Sequence, residues 1–425
     1  MPRTGWHAWL DEYLFHVRLF TRNARLYLLA AFLVGINFEV FQLLLNLYLR
    51  ELGFTDTRIG LVNSFRAVGM AFSAIPVAMA LARIRLKPML LAAVGLFALC
   101  SYFVVSTSIF PVVLAFSALA GTAFTVTRVA AAPFYMRHST PRERTHLFSF
   151  SFGVMLLAAM VGSLTAGKAA ELIAEWSGSL LLGYRYTLYA TIAISLLSII
   201  PFSLIREHSV SNDENRLSFS REQWRRRRGF LFRIGFANFL IGLGAGLIIP
   251  FLNLYFRDRF DLEPDTIGLF YFCVTCAMFA GTVAAPMLTR RFGLVRAIVL
   301  TQLASIPFML VLSYTYYLPV AFGAFVIRGG LMNIGVPLGT NFGMEMCERR
   351  EQGLVNALLM VSWTSAWMIS AAIGGRLIDL YGYSLTFNIT IALYIVSSVF
   401  YYWSFRNAER RNGRHGWAIT EGESA

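Results

Sequence analysis

The sequence predicts an all-α membrane protein of twelve spanning helices in two six-helix bundles, and three observations carry that prediction. The first is composition. Of 425 residues 57% are hydrophobic and only 14% are charged, with a mean hydropathy of +0.60. A soluble domain carries roughly 25% charged residues, and a surface this apolar would aggregate in water. The second is the length of the apolar runs. They extend about 20 residues or more without strict alternation, which suits helices; a barrel strand would be roughly 10 residues of alternating polarity. The third is where the charge lies. The formal net charge of +14 sits in short segments between the runs. That is the pattern of a membrane protein with basic cytoplasmic loops, not of a nucleic-acid-binding face.

Taken in order, the spans are expected at about 27–49, 58–82, 88–107, 110–136, 147–173 and 183–205, then 230–256, 265–289, 295–315, 318–345, 353–379 and 384–405. An even count puts both termini on one side. The segments on that side hold 26 Lys and Arg, against seven in the opposite loops: Arg50, Arg58, Lys168, Arg185, Arg257, Arg259 and Arg376. Both termini are therefore expected in the cytoplasm. The first 25 residues show no cleavable signal pattern. Residues 1–26 form a cytoplasmic segment in which Trp6, Trp9, Leu10, Tyr13, Leu14 and Val17 repeat at helical spacing. An amphipathic helix lying on the membrane surface is expected there. Residues 206–229 are the longest polar stretch and carry Arg225, Arg226, Arg227 and Arg228. They read as a cytoplasmic linker between an N-terminal bundle, 27–205, and a C-terminal bundle, 230–405, with a tail at 406–425.

The two halves repeat each other. Asn46-Leu-Tyr-Leu-Arg50 recurs as Asn253-Leu-Tyr-Phe-Arg257 at a shift of 207. Ile59-Gly60-Leu61 recurs as Ile267-Gly268-Leu269, and Leu81-Ala-Arg83 as Leu288-Thr-Arg290. Arg142-Glu143 recurs as Arg350-Glu351, and Gly167 to Glu171 as Gly375 to Asp379. Five matches in order, at nearly one shift and at matching helix ends, imply a duplicated six-helix unit. Two such bundles leave a central site that rocking exposes to each side in turn.

These features bring the chain to a family. It resembles the major facilitator superfamily over essentially its whole length. The resemblance rests on the six-plus-six layout, the basic loop Arg83-Ile-Arg85-Leu-Lys87, its partner Arg290-Arg291-Phe-Gly293, and the Pro141-Arg-Glu-Arg144 loop. It implies gating roles for Arg83, Arg85, Lys87, Arg290 and Arg291. The family's loop between spans 2 and 3 carries an Asp ahead of its basic residues; Ala82 and Thr289 stand near that place here.

Charges inside spans are the candidates for function, because a charge at mid-bilayer costs at least about 2.5–3.5 kcal/mol on insertion scales. Glu39 lies near the middle of span 1, Arg66 in span 2, Arg128 in span 4 and Arg328 in span 10. Gly35, Glu39, Gln42 and Asn46 share one face of span 1. A lone carboxylate in low dielectric loads and releases a proton near neutral pH. The resemblance implies the same, since proton-coupled relatives often use an acid on span 1. The alternatives are a fixed ion pair of Glu39 with Arg66 or Arg128, and a direct contact with a cationic substrate. Arg66, Arg128 and Arg328 bias the expected cavity positive. Arg128 and Arg328, from opposite halves, suit a carboxylate or phosphate clamp. Pairing inside each bundle is the alternative.

Trp363 and Trp367 are spaced to stack on a ligand or to pack. Asn238, Asn333 and Asn341 suit either a substrate path or helix–helix hydrogen bonds. The four cysteines, including the Cys273–Cys276 pair, read as packing residues, and no metal-ligand spacing occurs. No phosphate-cradling GxxxxGK[ST] motif is present, so no ATP-driven step is expected on this chain. No cofactor is expected, and nothing converges as a nucleophile, base and metal would in an enzyme. The expectation is a secondary transporter of a small-molecule solute. It is expected to act as a monomer in a bacterial inner membrane, coupled to protons or another cation, and to export an amphipathic compound. Uptake of an organic anion is the second reading, and lipid translocation is the reading from another class.

Overall fold

A chain that crosses lipid must pair its own backbone groups, and the apolar runs do so as helices. In the computed structural model residues 20–81, 84–206, 221–347 and 352–407 are described, and all their regular structure is helical. Spans 1 to 4 are the helices Arg22–Glu51, Asp56–Leu81, Leu86–Ser106 and Phe110–Arg137. Span 5 is Pro141–Ser177; span 6 is Leu180–Leu197 continued by Ile199–Ser203. Span 7 runs as Arg221–Ile248, a 3₁₀ turn Ile249–Phe251, and Leu252–Phe260. Pro250 lacks the N–H that a continuous α-helix needs, which accounts for the interruption. Span 8 is Pro264–Phe292, span 9 is Leu294–Ala304 with Ile306–Tyr314, and span 10 is Leu318–Glu345.

Among the described residues eleven helical stretches are long and apolar enough to cross a membrane. The last helix, Gln352–Phe405, has 54 residues. At 1.5 Å per residue it would extend roughly 80 Å, far beyond a hydrocarbon core of about 30 Å. It is broken at Gly382, where φ is 74° and ψ is −177°. Only glycine occupies that region readily. The two pieces correspond to the expected spans 11 and 12.

Local signals explain the helix starts. Thr21 caps span 1 by accepting from the Ala24 N–H. Thr140 and Glu143 form a capping box ahead of span 5, with Pro141 in its first turn. Sequence that reads as Pro141-Arg-Glu-Arg144 thus has a structural role as a helix start.

The chain divides into two compact units. Unit 1 holds residues 1–216, 250–275 and 371–379; unit 2 holds 217–249, 276–370 and 380–425. The adjoining ends of spans 7 and 8 and the last part of span 11 therefore pack with the N-terminal repeat, although in sequence they belong to the second repeat. The unit 1 core is aromatic. Tyr27 stacks on Phe134 at 4.5 Å and meets Tyr135 and Phe202 edge-on. In unit 2 Phe342 packs against Tyr401 and Phe405. The expected surface helix before residue 20, most of the linker, Arg83, Arg350–Glu351 and the tail beyond 407 lie outside the described residues.

Candidate functional site

Glu39 lies in the middle of the 30-residue helix of span 1. Among the described residues it makes no hydrogen bond and no ion pair within 4 Å. The charges that bear on it are Arg128 of span 4 and Arg66 of span 2. Gly162 of span 5 comes close to the same helix face, since a Cβ there would sit 3.3 Å from Val40 and 3.7 Å from the Glu39 Cβ.

Arg66 does not pair with the acid. One of its Nη groups donates to the Gln42 side-chain oxygen and, at 3.1 Å, to Asn63 Oδ1. The guanidinium also stands over Phe38, 5.7 Å from the ring centre, a favourable contact for a desolvated cation. Asn63 Nδ2 donates to Asn46 Oδ1 at 3.0 Å. Gln42, Arg66, Asn63 and Asn46 are therefore one hydrogen-bonded line across spans 1 and 2. Arg128 is exposed on unit 1 and donates to the Met155 sulfur of span 5 at 2.6 Å. A thioether is a weak acceptor, so this contact leaves the cation able to take an anionic partner.

Arg328, Asn238, Asn333, Trp363 and Trp367 all fall in unit 2. Arg328 is 4% exposed. It donates to the Tyr394 hydroxyl at 3.2 Å, and its Nε has no partner among the described residues. Asn238 donates to the Leu359 carbonyl, and Asn333 to Met278 O and Thr282 Oγ1. These two amides are thus engaged in helix–helix bonds. The rings of Trp363 and Trp367 lie 6.0 Å apart. Gly242 and Gly246, the repeat mates of Gly35 and Glu39 up to the shift of 207, pack against Ala366 and Ser370 of span 11. Asn341 donates to Glu345. Lys87 reaches the Ile205 carbonyl at 3.3 Å, Arg85 precedes span 3, and Arg290 and Arg291 are exposed in the last turn of span 8. Among the described residues the four cysteines form no disulfide.

A second polar cluster, not anticipated from sequence, lies in unit 1 at the end away from Phe20 and Arg206. Asp379 of span 11 accepts from the backbone N–H of Asp56 at 2.9 Å and of Thr57 at 2.6 Å, and from the Thr57 hydroxyl. It caps the start of span 2. Arg50 pairs with Asp56 and, at 3.3 Å, with Asp258. Glycines let the backbones approach beside it. A Cβ on Gly60 would lie 2.4 Å from Ala371 O, and one on Gly375 2.1 Å from Asp56 O. The repeat mates do the same: Gly268 meets Ser163 O, and Gly167 meets Pro264 O, each at 2.4 Å. The repeat had marked Gly60, Gly268, Gly167 and Gly375, but the sequence does not say that they face one another.

The Major Facilitator Superfamily profile matches residues 27–233 and again 234–418. The chain belongs to that superfamily. Its fold is shared with solved transporters at low identity. The nucleoside transporter NupG is 12% identical, with a TM-score of 0.75 over 91% of this chain and 100% of that one. A bacterial homolog to the human lysosomal transporter Spinster, inward-facing and occupied, is 14% identical, with a TM-score of 0.75 over 90% and 96%. A D-xylose-proton symporter is 14% identical, with a TM-score of 0.73 over 92% and 97%. No curated protein matches the sequence significantly. As a member of the superfamily with membrane-length helices throughout, the protein is an integral membrane protein that handles small molecules.

Proposed function

We propose that the protein is a proton-coupled carrier that moves a small organic solute by alternating access, with Glu39 as the proton site. The supporting observation is that Glu39, at mid-span, has neither a hydrogen bond nor an ion pair among the described residues. Arg66, one of the two arginines whose charge acts on it, is committed to Gln42 and Asn63 instead. A carboxylate in low dielectric without a fixed partner changes protonation as its surroundings change, and that is what coupling requires. The direction proposed is export of an amphipathic compound across a bacterial inner membrane, with both termini cytoplasmic. Beside the acid, the partly exposed Phe38 of span 1 and Met155 of span 5 offer apolar and polarizable surface. A second reading, uptake of a carboxylate- or phosphate-bearing anion, is favoured by Arg128, whose described hydrogen bond goes only to sulfur.

The test is reconstitution in proteoliposomes with a panel of amphipathic and anionic solutes, with and without an imposed pH gradient. Glu39→Gln is expected to keep solute exchange and to lose gradient-driven accumulation. Gradient-driven accumulation that persists in Glu39→Gln overturns the proton-site assignment. Anion uptake that falls in Arg128→Ala favours the second reading.

A further inference from the structure

The closest match between the two halves is Asn46 to Arg50 with Asn253 to Arg257, at a shift of 207. Both asparagines are buried, 3% and 0% exposed. A buried amide must be satisfied at nitrogen and at oxygen. Asn46 Nδ2 donates to the carbonyl of Pro250 at 2.5 Å. Asn253 Nδ2 donates to the carbonyl of Leu43 at 2.6 Å. At the same shift of 207, Pro250 is the counterpart of Leu43. Each asparagine thus reaches the carbonyl three residues before the other one. Residues three apart share a helix face, so one face of each span offers both donor and acceptor. The Pro250 carbonyl lies in the 3₁₀ turn Ile249–Phe251, where the α-helical ladder is interrupted. All four residues belong to unit 1.

The two halves of this pair differ at the oxygens. Asn253 Oδ1 accepts from the Leu254 N–H of its own helix. Asn46 Oδ1 accepts from Asn63, and Asn63 Oδ1 accepts from Arg66. Arg66 is one of the two charges that act on Glu39.

We propose that Asn46 and Asn253 form a reciprocal clasp that holds spans 1 and 7 together at this end of unit 1, and that Asn63 ties the clasp to Arg66. The charge on Glu39 then sets the clasp's strength. Neutral Glu39 leaves the Arg66 donors to Gln42 and Asn63, and a hydrogen-bonded chain polarised by a cation strengthens each link along it. Charged Glu39 competes for the guanidinium and weakens the chain. The contact between spans 1 and 7 is released when the acid is ionised and held when it is neutral. Asn46 and Asn253 are positioning residues in this scheme, and Asn63 is the connector. The second part rests on Glu39 as the proton site; the clasp itself does not.

Hydrogen–deuterium exchange on the full chain in nanodiscs tests both parts without a known substrate. Asn46→Ala and Asn253→Ala are each expected to speed exchange about tenfold in both segments 43–49 and 250–256, the effect of losing one buried hydrogen bond. Faster exchange confined to the mutated helix, or to neither, overturns the clasp. If an alanine variant does not fold, Asn46→Leu and Asn253→Leu keep the volume without the donor, and the same reciprocal pattern is expected. For the connector, Glu39→Gln is expected to slow exchange at 250–256 in the wild-type background and to have no effect when Asn63 is replaced by alanine. An equal response in both backgrounds overturns the connection. If Glu39→Gln alters neither segment while the asparagine variants behave as expected, the clasp stands and its link to the acid falls.

Discussion

A single methyl group at Gly375 should prise apart the close crossing of spans 2 and 11 in unit 1. A Cβ there would lie 2.1 Å from the Asp56 carbonyl oxygen and 3.2 Å from Gly60 Cα, where ordinary contact begins at 3.4 Å. The obstruction is backbone and cannot rotate aside, so spans 2 and 11 must separate by roughly 1 Å. Alanine in a helix gains about 1 kcal/mol over glycine. Overpacking of this kind costs about 1–3 kcal/mol. Asp379 is one turn further along span 11, so the same displacement draws it away from the Asp56 and Thr57 N–H groups, and a lost cap costs about 0.5–2 kcal/mol. The net is about 0.5–4 kcal/mol against the close crossing of spans 2 and 11, roughly a 2- to 900-fold shift in a two-state equilibrium. The assay uses Ile59→Cys, a position with 0% exposure beside this crossing, and the rate at which an impermeant maleimide modifies it. Gly375→Ala is expected to raise that rate within the stated range. Gly153→Ala, where a Cβ meets nothing within 4 Å, is expected to match the parent. Adding Gly60→Ala to Gly375→Ala should give less than the sum of the single effects, because both act on one crossing. Equal rates for Gly375→Ala and Gly153→Ala refute the reasoning.

Two further outcomes follow from the same geometry. Asp379→Ala removes the acceptor for three hydrogen bonds at the start of span 2, and should raise Ile59→Cys labelling about tenfold; Asp379→Asn, a competent cap, should restore most of the protection. In unit 2 Tyr394→Phe removes the described hydrogen bond of the buried Arg328 guanidinium. The thermal midpoint should fall by the equivalent of about 1–3 kcal/mol, and the paired change Arg328→Leu with Tyr394→Phe should recover most of the loss.

Much of this protein was legible in its sequence because a bilayer imposes a local rule. Each crossing needs a long apolar run, and the position of each run does not depend on what it packs against. Glu39 was legible for the same reason: an acid inside such a run costs energy wherever its neighbours are. The family followed from the repeat. The partners of these groups were not legible. Either Arg66 or Arg128 would have served as a counter-ion for Glu39 on spacing alone. The fold instead commits Arg66 to Gln42 and Asn63 and sets Arg128 against the Met155 sulfur, a weak acceptor that leaves its charge available.

The sequence by itself determined the helical membrane fold, the duplication and the mid-span acid, since each is written in the local order of residues. The tertiary structure alone decided that 250–275 and 371–379 join the N-terminal unit, that Asp379 caps span 2, and that Asn46 and Asn253 exchange hydrogen bonds. Those contacts join residues more than 200 positions apart, and which helix faces meet is fixed by close packing of glycines and backbone, a property of the assembled bundle.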